Sequence, residues 1–175
     1  MTKIALCYSG RPRHFAECLK NHQKTFGLGK DNVDVFAHLW FDEELVGQPF
    51  RPDAPQQGCW PGNNLKTWVE KNWKPKKIVY EKQTDDKFRD MYSNTWNLAH
   101  ERLNPVPRMH PKDHQLSMFY GIKKVMEMKQ EYEKENNFKY DYVVRLRTDF
   151  VAVANFGDIE KYDKDKLHVS HYNAT

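Results

Sequence analysis

The chain has 175 residues, a formal net charge of +4, 39% hydrophobic and 14% aromatic residues. This length suits a single domain spanning residues 1–175, and the apolar and aromatic content excludes a largely disordered chain. Because the lysines are scattered among acidic residues and form no basic arm, the sequence does not indicate a nucleic-acid partner. An anionic small substrate fits the mild charge as well as a polyanion does.

The apolar runs are too short for a membrane span. Residues 4–8 are typical, and none approaches the roughly 20 residues that a transmembrane helix needs. No secretory signal pattern follows Met1, so we expect a cytoplasmic protein without a transmembrane segment. Cys7, Cys18 and Cys59 are odd in number and lack CxxC spacing, which favours buried free thiols over disulfides or a zinc–thiolate site.

The first part of the chain has the pattern of a β-α-β unit. Residues 3–8 predict a buried strand, a polar turn follows, and apolar residues at helical spacing predict a helix over 14–26. Gly27 is expected to end that helix, and residues 33–40 predict a second strand. Such units form parallel sheets with right-handed crossovers.

The middle of the chain is less regular. Residues 42–64 are rich in proline and glycine and predict a long loop, which in compact domains is often functional. The expected elements that follow are a short helix over 66–73, a strand over 77–80, a weak helix over 85–103 and a loop over 104–112.

The last part carries a clear helix and a strand. Asp113 is expected to cap a helix that runs to about Asn136. Residues 140–151 predict the fourth main strand and residues 167–172 a fifth. The chain ends at Thr175, soon after that strand, and both a minimal doubly wound enzyme and a C-terminally truncated one fit this ending.

Open α/β sheets bind ligands beyond the carboxyl ends of their strands. After the first strand come Ser9, Gly10, Arg11 and Arg13. The glycine lets the backbone approach a ligand, the arginines offer forked donors to phosphate oxygens, and the following helix start favours anions. The turn matches neither the P-loop nor the GxGxxG pattern, and a solvated turn with two surface arginines is the structural alternative.

His38 and Trp40 end the second strand. Trp40 is a candidate wall of a base or sugar pocket. The alternative, which we favour, is a core tryptophan beside a hydrogen-bonded histidine.

Residues 140–150 place charges in an apolar strand. Alternation puts Arg145, Arg147 and Asp149 on one face, and buried arginines are costly unless they are paired or bind an anion. Asp149 is expected either to balance an arginine or to hold a divalent metal. A structural salt-bridge network is the alternative.

The sequence Tyr-Asp-Tyr-Val-Val-Arg-Leu-Arg-Thr-Asp-Phe over 140–150 resembles a strand motif of GT-A-type glycosyltransferases, including capsular and cell-surface polysaccharide enzymes. Residues 4–13 and 33–40 are similar to the start of such proteins. The resemblance covers residues 1–40 and about 113–151. It implies a three-layer α/β/α, Rossmann-like GT-A fold with a mostly parallel sheet. The implied partners are a UDP- or GDP-type nucleotide sugar and a glycan acceptor in polysaccharide biosynthesis.

In that family a DxD-type motif at this strand end binds Mn²⁺ or Mg²⁺ together with the donor diphosphate. Asp149 matches the last acidic residue of the motif, while Arg147 stands where the first aspartate would be. The resemblance therefore implies a metal at Asp149, or an arginine that neutralises the diphosphate and partly replaces the metal. Gln115, at the start of the preceding helix, is expected to contact the donor, with a plain capped helix as the alternative.

The implied mechanism is electrostatic, because preorganised cations stabilise the charge that develops on the leaving nucleoside diphosphate. A carboxylate would act as general base on the acceptor hydroxyl. Its candidates are sequence beyond Thr175 and four acidic loop residues: Asp42, Glu43, Glu44 and Asp53. Two other functions stay open: a non-catalytic domain that kept the fold, and a nucleotidyl- or phosphotransferase.

Overall fold

A computed structural model of the chain describes residues 1–49, 59–62, 64–83, 112–152 and 159–168. The helix expected over 85–103 and nearly all of the loop expected after it lie outside these residues, as does Asp53.

In the described residues, strands and helices alternate along the chain, which confirms the predicted α/β class. They are β1 (Ile4–Gly10), α1 (Phe15–Phe26), β2 (Val33–Trp40), α2 (Leu65–Trp73), β3 (Lys77–Glu81), α3 (Lys112–Glu135) and β4 (Tyr142–Leu146). Short 3-10 turns lie at Glu43–Leu45 and Ile159–Lys161.

The described strands form one parallel sheet in the order β3-β2-β1-β4. In register, Ile4 of β1 lies opposite Val33 on one side and Tyr142 on the other. Along the chain, β2 and β3 are therefore added on one side of β1, and β4 is added on the other side. Ligands of open α/β sheets bind at the carboxyl ends of the strands where the order reverses in this way. We call these ends the carboxyl edge (residues 9–13, 38–42, 81–83 and 147–149).

Helices cover both faces of the sheet. On one face α1 and α2 pack in a cluster that includes Leu6, Tyr8, Phe26, Leu65 and Val69. On the other face α3 packs in a cluster that includes Ala5, Cys7, Phe36, Val125 and Met128. Burial on both faces explains why β1 and β2 are almost continuously apolar, as parallel strands usually are.

Several predicted boundaries are wrong. β1 continues through Ser9 and Gly10, which were expected in a turn, because the last residues of β2 still pair with them. β4 ends at Leu146, five residues before the predicted end, because the chain turns at residues 148–149. Leu167 and His168 are not in a strand. The remaining residues of the predicted fifth strand lie outside the described part of the structure.

The thiols differ in burial. Cys7 and Cys18 are buried free thiols, as predicted, but Cys59 is exposed. Burial raises the pKa of Cys7 to about 12, so this thiol stays protonated and unreactive at neutral pH. In the part of the chain that is described, no helix is both long and apolar enough to cross a membrane.

Candidate functional site

A buried hydroxyl joins the two turns that flank the point where the strand order reverses. Gly10 ends β1 with φ of +125°, a conformation that favours glycine. Thr148, which is 1% exposed, follows β4. Its Oγ1 donates to the carbonyl oxygen of Arg11 at 2.7 Å and accepts from the backbone N–H of Arg13 at 3.1 Å. The sequence predicted the turn after β1 but continued β4 through Thr148, so it predicted neither the second turn nor this connection.

The turn after β4 contains a bidentate ion pair. Arg147 Nε donates to Asp149 Oδ1 at 2.9 Å, and Nη2 donates to Oδ2 at 2.8 Å. The arginine side chain is 58% exposed, so solvent limits the contribution of the pair to about 1 kcal/mol or less. Both oxygens of the predicted metal ligand thus bind an arginine. Among the described residues, no group of three or more His, Cys, Asp or Glu side chains is placed to hold a metal ion, so we derive no step through a metal.

Arg145 lies on the face of β4 that continues the α3-covered face of β1, beside Cys7. Both Arg145 and its neighbour Val143 are exposed. The free-energy cost of burying Arg145, which the sequence analysis expected to be high, is therefore small. Partial burial lowers the pKa of the Arg145 guanidinium, and the positive charge of Arg147 lowers it further. An anion between the two arginines would relieve their repulsion.

Helix α1 fixes the segment that follows this turn. His22 Nε2 donates to the carbonyl oxygen of Phe150 at 2.6 Å, and its Nδ1 accepts from the Tyr8 hydroxyl at 3.1 Å. A carbonyl only accepts hydrogen bonds, so the proton is on Nε2. Burial lowers the pKa of His22, which keeps the ring neutral. The Asn21 amide pairs with the backbone N–H and carbonyl of Ala152, both at 3.0 Å.

His38 and Trp40 are core residues at the carboxyl edge. His38 is fully buried, and its Nε2 donates to Glu81 Oε2 at 2.8 Å. The hydroxyl of Tyr120 in α3 donates to Glu81 Oε1 at 3.2 Å. Trp40, 2% exposed, stacks on Tyr120 with ring centroids 5.6 Å apart. These contacts match the structural alternative to a base or sugar pocket, namely a core tryptophan beside a hydrogen-bonded histidine.

Glu81 belongs to the carboxyl edge although the sequence did not single it out. Its side chain is 22% exposed, and it is the last residue of β3. Two residues later, Gln83 Oε1 accepts from Arg11 Nε at 3.1 Å and from Nη2 at 3.0 Å. The sequence predicts the end of this strand at Tyr80, one residue before Glu81. An acidic residue directly after an α/β strand is the signal that would have identified it.

Ser9 lies under α3. It is 4% exposed, and its Oγ has no hydrogen-bond partner among the described residues. A Cβ on Gly121 would lie 3.3 Å from His38 Nδ1 and 3.5 Å from Ser9 Cβ, so the glycine lets α3 approach the sheet closely. The backbone of Gln115 is in the first turns of α3. The side chain of Gln115 lies outside what the structure describes.

Three of the four acidic loop residues named as candidate general bases form other contacts. Asp42 is 8% exposed, accepts from the backbone N–H of Glu44 at 3.1 Å and lies 3.2 Å from Lys82 Nζ. Glu43 and Glu44 each form an exposed ion pair with a lysine. These contacts favour structural roles for all three.

Two cavities lie away from this edge. One of about 290 Å³ includes Ile4 and Lys24 near the amino ends of the strands. The other, of about 830 Å³, lies between the end of α3 and Tyr140. No residue of the carboxyl edge lines either cavity, so the case for a site there depends on topology and charge.

The fold and these contacts define an α/β domain whose parallel sheet has an arginine-rich carboxyl edge. No protein-family model, curated protein or solved structure matches the chain. The likeness to GT-A-type glycosyltransferases therefore depends on this sequence alone.

Proposed function

We propose that this chain binds a nucleotide sugar at its carboxyl edge and transfers the sugar to a hydroxyl of a glycan, as a GT-A-type glycosyltransferase with a Rossmann-like sheet. One observation carries the proposal: the Thr148 hydroxyl joins the turn of Arg11 and Arg13 to the turn of Arg147. The joined turns lie where the strand order reverses, which is the usual ligand position in open α/β sheets.

Arg147 is the residue best suited to the donor diphosphate. A guanidinium has five N–H donors, and the pair with Asp149 uses the Nε and one Nη2 donor. The remaining donors are available for phosphate oxygens while Asp149 keeps the group oriented. In the transfer, the bond between the sugar C1 and the diphosphate breaks, and its electron pair leaves with the nucleoside diphosphate. The acceptor oxygen bonds to C1 and gives its proton to a base.

Thermal unfolding in the presence of ligands tests the binding step. We expect GDP or UDP, at about 100 times its Kd, to stabilise the fold by about 2.7 kcal/mol, which raises Tm by about 5–11 °C for a chain of this size. Arg147→Ala should lose most of this shift. Lys123→Ala, which removes an exposed charge of α3, is the matched control and should keep it. No shift with any nucleoside diphosphate or nucleotide sugar would reject the proposal.

A non-catalytic nucleotide-binding domain is the second candidate, because Arg147 engages both carboxylate oxygens of Asp149. Phosphorus NMR of a bound nucleotide sugar, incubated with a mixture of glycan acceptors, separates the possibilities. Glycosyl transfer releases a nucleoside diphosphate, nucleotidyl transfer a sugar phosphate, and a non-catalytic domain leaves the donor intact.

A further inference from the structure

The outer edge of β4 carries backbone groups that point away from the sheet. The N–H of Tyr142 donates to the carbonyl oxygen of Lys3 at 3.3 Å, and β4 stays in register with β1 as far as Leu146. Because every second residue of a strand bonds to the same neighbouring strand, the N–H and C=O groups of Val143 and Arg145 face away from β1. Among the described strands, none pairs with this edge. The side chains of Val143 and Arg145 are exposed as well.

β4 lacks most of the features that keep exposed strand edges from pairing. The strand at the opposite edge of the described sheet, β3, begins at Lys77 and ends at Glu81, and the Lys77 ammonium lies 2.7 Å from Glu135 of α3. β4 has the sequence Tyr-Val-Val-Arg-Leu, without proline or lysine. Apolar edges of this kind pair readily with other strands. Arg145 restricts the choice of partner, because opposite charges across a strand pair stabilise it and like charges destabilise it.

We propose that β4 pairs with β4 of a second copy of this chain, antiparallel and centred on Val143. Charge selects this register. A two-fold axis at Val143 places Arg145 of each copy opposite the partner's Asp141, since the two residues lie two positions to either side of the centre. This reciprocal contact is what a two-fold interface requires. An axis at Val144 would leave the guanidinium opposite Val143, and an axis at Arg145 would set the two guanidinium groups against each other.

Asp141 is held at the start of β4. Its Oδ2 accepts from the backbone N–H of Lys3 at 2.8 Å, and its side chain stays 35% exposed. Its second contact, to Lys164, involves an exposed lysine, so solvent weakens this ion pair. On the other face of the strand, the register sets Tyr142 opposite the partner's Val144, and both side chains are half-buried. The carboxyl edges lie at opposite ends of the joined sheet, so this inference does not depend on the proposed function.

Sedimentation equilibrium measures the association. One strand pair buries less area than a standard interface, so we expect a dimer that forms in the micromolar range. Val143→Pro removes an N–H that β1 does not use, at an edge position where proline is tolerated. This variant loses the two hydrogen bonds across the axis, and its dimerisation should be about 30-fold weaker. Val143→Thr, which keeps the N–H and the branched side chain, is the matched control and should dimerise like wild type.

Disulfide cross-linking tests the register and does not require the proline variant to fold. Cys59→Ser first removes the exposed thiol. In that background Val143→Cys should form a linked dimer on mild oxidation, because opposed hydrogen-bonded residues have Cα atoms about 5.5 Å apart. Arg145→Cys should not link, because its Cα atoms would lie about 15 Å apart. Arg145→Asp, which faces the partner's Asp141, should weaken dimerisation at least about 10-fold.

Three results would overturn the inference. The first is a protein that stays monomeric at millimolar concentration. The second is a dimer that is unaffected by a folded Val143→Pro variant. The third is a dimer in which Val143→Cys fails to cross-link or Arg145→Cys cross-links instead.

Discussion

Replacing Thr148 by valine tests whether one buried hydroxyl holds the carboxyl edge together. The change keeps the shape of the side chain and removes its bonds to the Arg11 carbonyl and the Arg13 N–H. These two backbone groups also bond to each other at 2.8 Å, so neither is left without a partner. The loss is then two net hydrogen bonds of about 1 kcal/mol each. We expect the free energy of unfolding to fall by about 2 kcal/mol and Tm by about 4–8 °C.

Urea and thermal unfolding followed by circular dichroism measure this change. Thr148→Ser is the control, because it keeps the hydroxyl and loses only a methyl group worth about 1 kcal/mol. We expect the serine variant to keep wild-type affinity for pyrophosphate and the valine variant to lose affinity. A valine variant as stable as wild type would refute the connecting role. A larger loss in the serine variant than in the valine variant would assign the stability to the methyl group, which valine keeps, rather than to the hydroxyl.

Three other changes have expected outcomes. His22 stays neutral in the fold because burial lowers its pKa from the usual 6.5, so the unfolded chain takes up more protons below that pH and stability falls as acidity increases. Tm measured from pH 8 to pH 5 should show this fall, and His22→Gln should flatten the profile. Gly10→Ala should lower the free energy of unfolding, measured in urea, by about 1–3 kcal/mol, because φ at this position is +125°. Gly62→Ala, where φ is not positive, should cost less. The buried Lys129 ammonium lies 2.8 Å from Glu133 Oε2. Glu133→Gln removes this anion and should lower the free energy of unfolding, measured in urea, by about 3 kcal/mol or more.

Helices and strands were predictable where burial requires a simple pattern of apolar residues in the sequence. Residues 33–40 were predicted as a strand and form β2 with the same limits, because both faces of this strand are covered and the apolar run is uninterrupted. The start of α3 was placed two residues too late, since a helix capped by Asp113 would begin at residue 114 and the helix begins at Lys112. The end of β4 was placed too late because Phe150 and Val151 are as apolar as the strand before them.

The site was less predictable because its contacts join distant parts of the chain. Thr148 and Arg11 are 137 residues apart, and His38 and Glu81 are 43 apart. No local pattern contains either contact. The Arg147–Asp149 pair is separated by two residues, and there the sequence did indicate a salt bridge as one alternative. The sequence likewise does not reveal the order of the strands in the sheet. This order places β4 beside β1 and so brings the turns that follow these two strands together.

An arginine rather than an aspartate at position 147 changes the net charge at the end of β4. A pair of aspartates at a strand end attracts a divalent cation, which then bridges to the diphosphate. Here Arg145 and Arg147 together with Asp149 carry a net charge of +1 (two positive, one negative), which under the proposed function neutralises part of the charge of the donor diphosphate directly. We therefore expect Mn²⁺ to leave nucleotide affinity unchanged in the wild-type protein. Arg147→Asp places two carboxylates at positions 147 and 149, and its nucleotide binding should require Mn²⁺. Equal binding by this variant with and without Mn²⁺ would contradict the argument, because the variant would then have no cation at the position that Arg147 occupies.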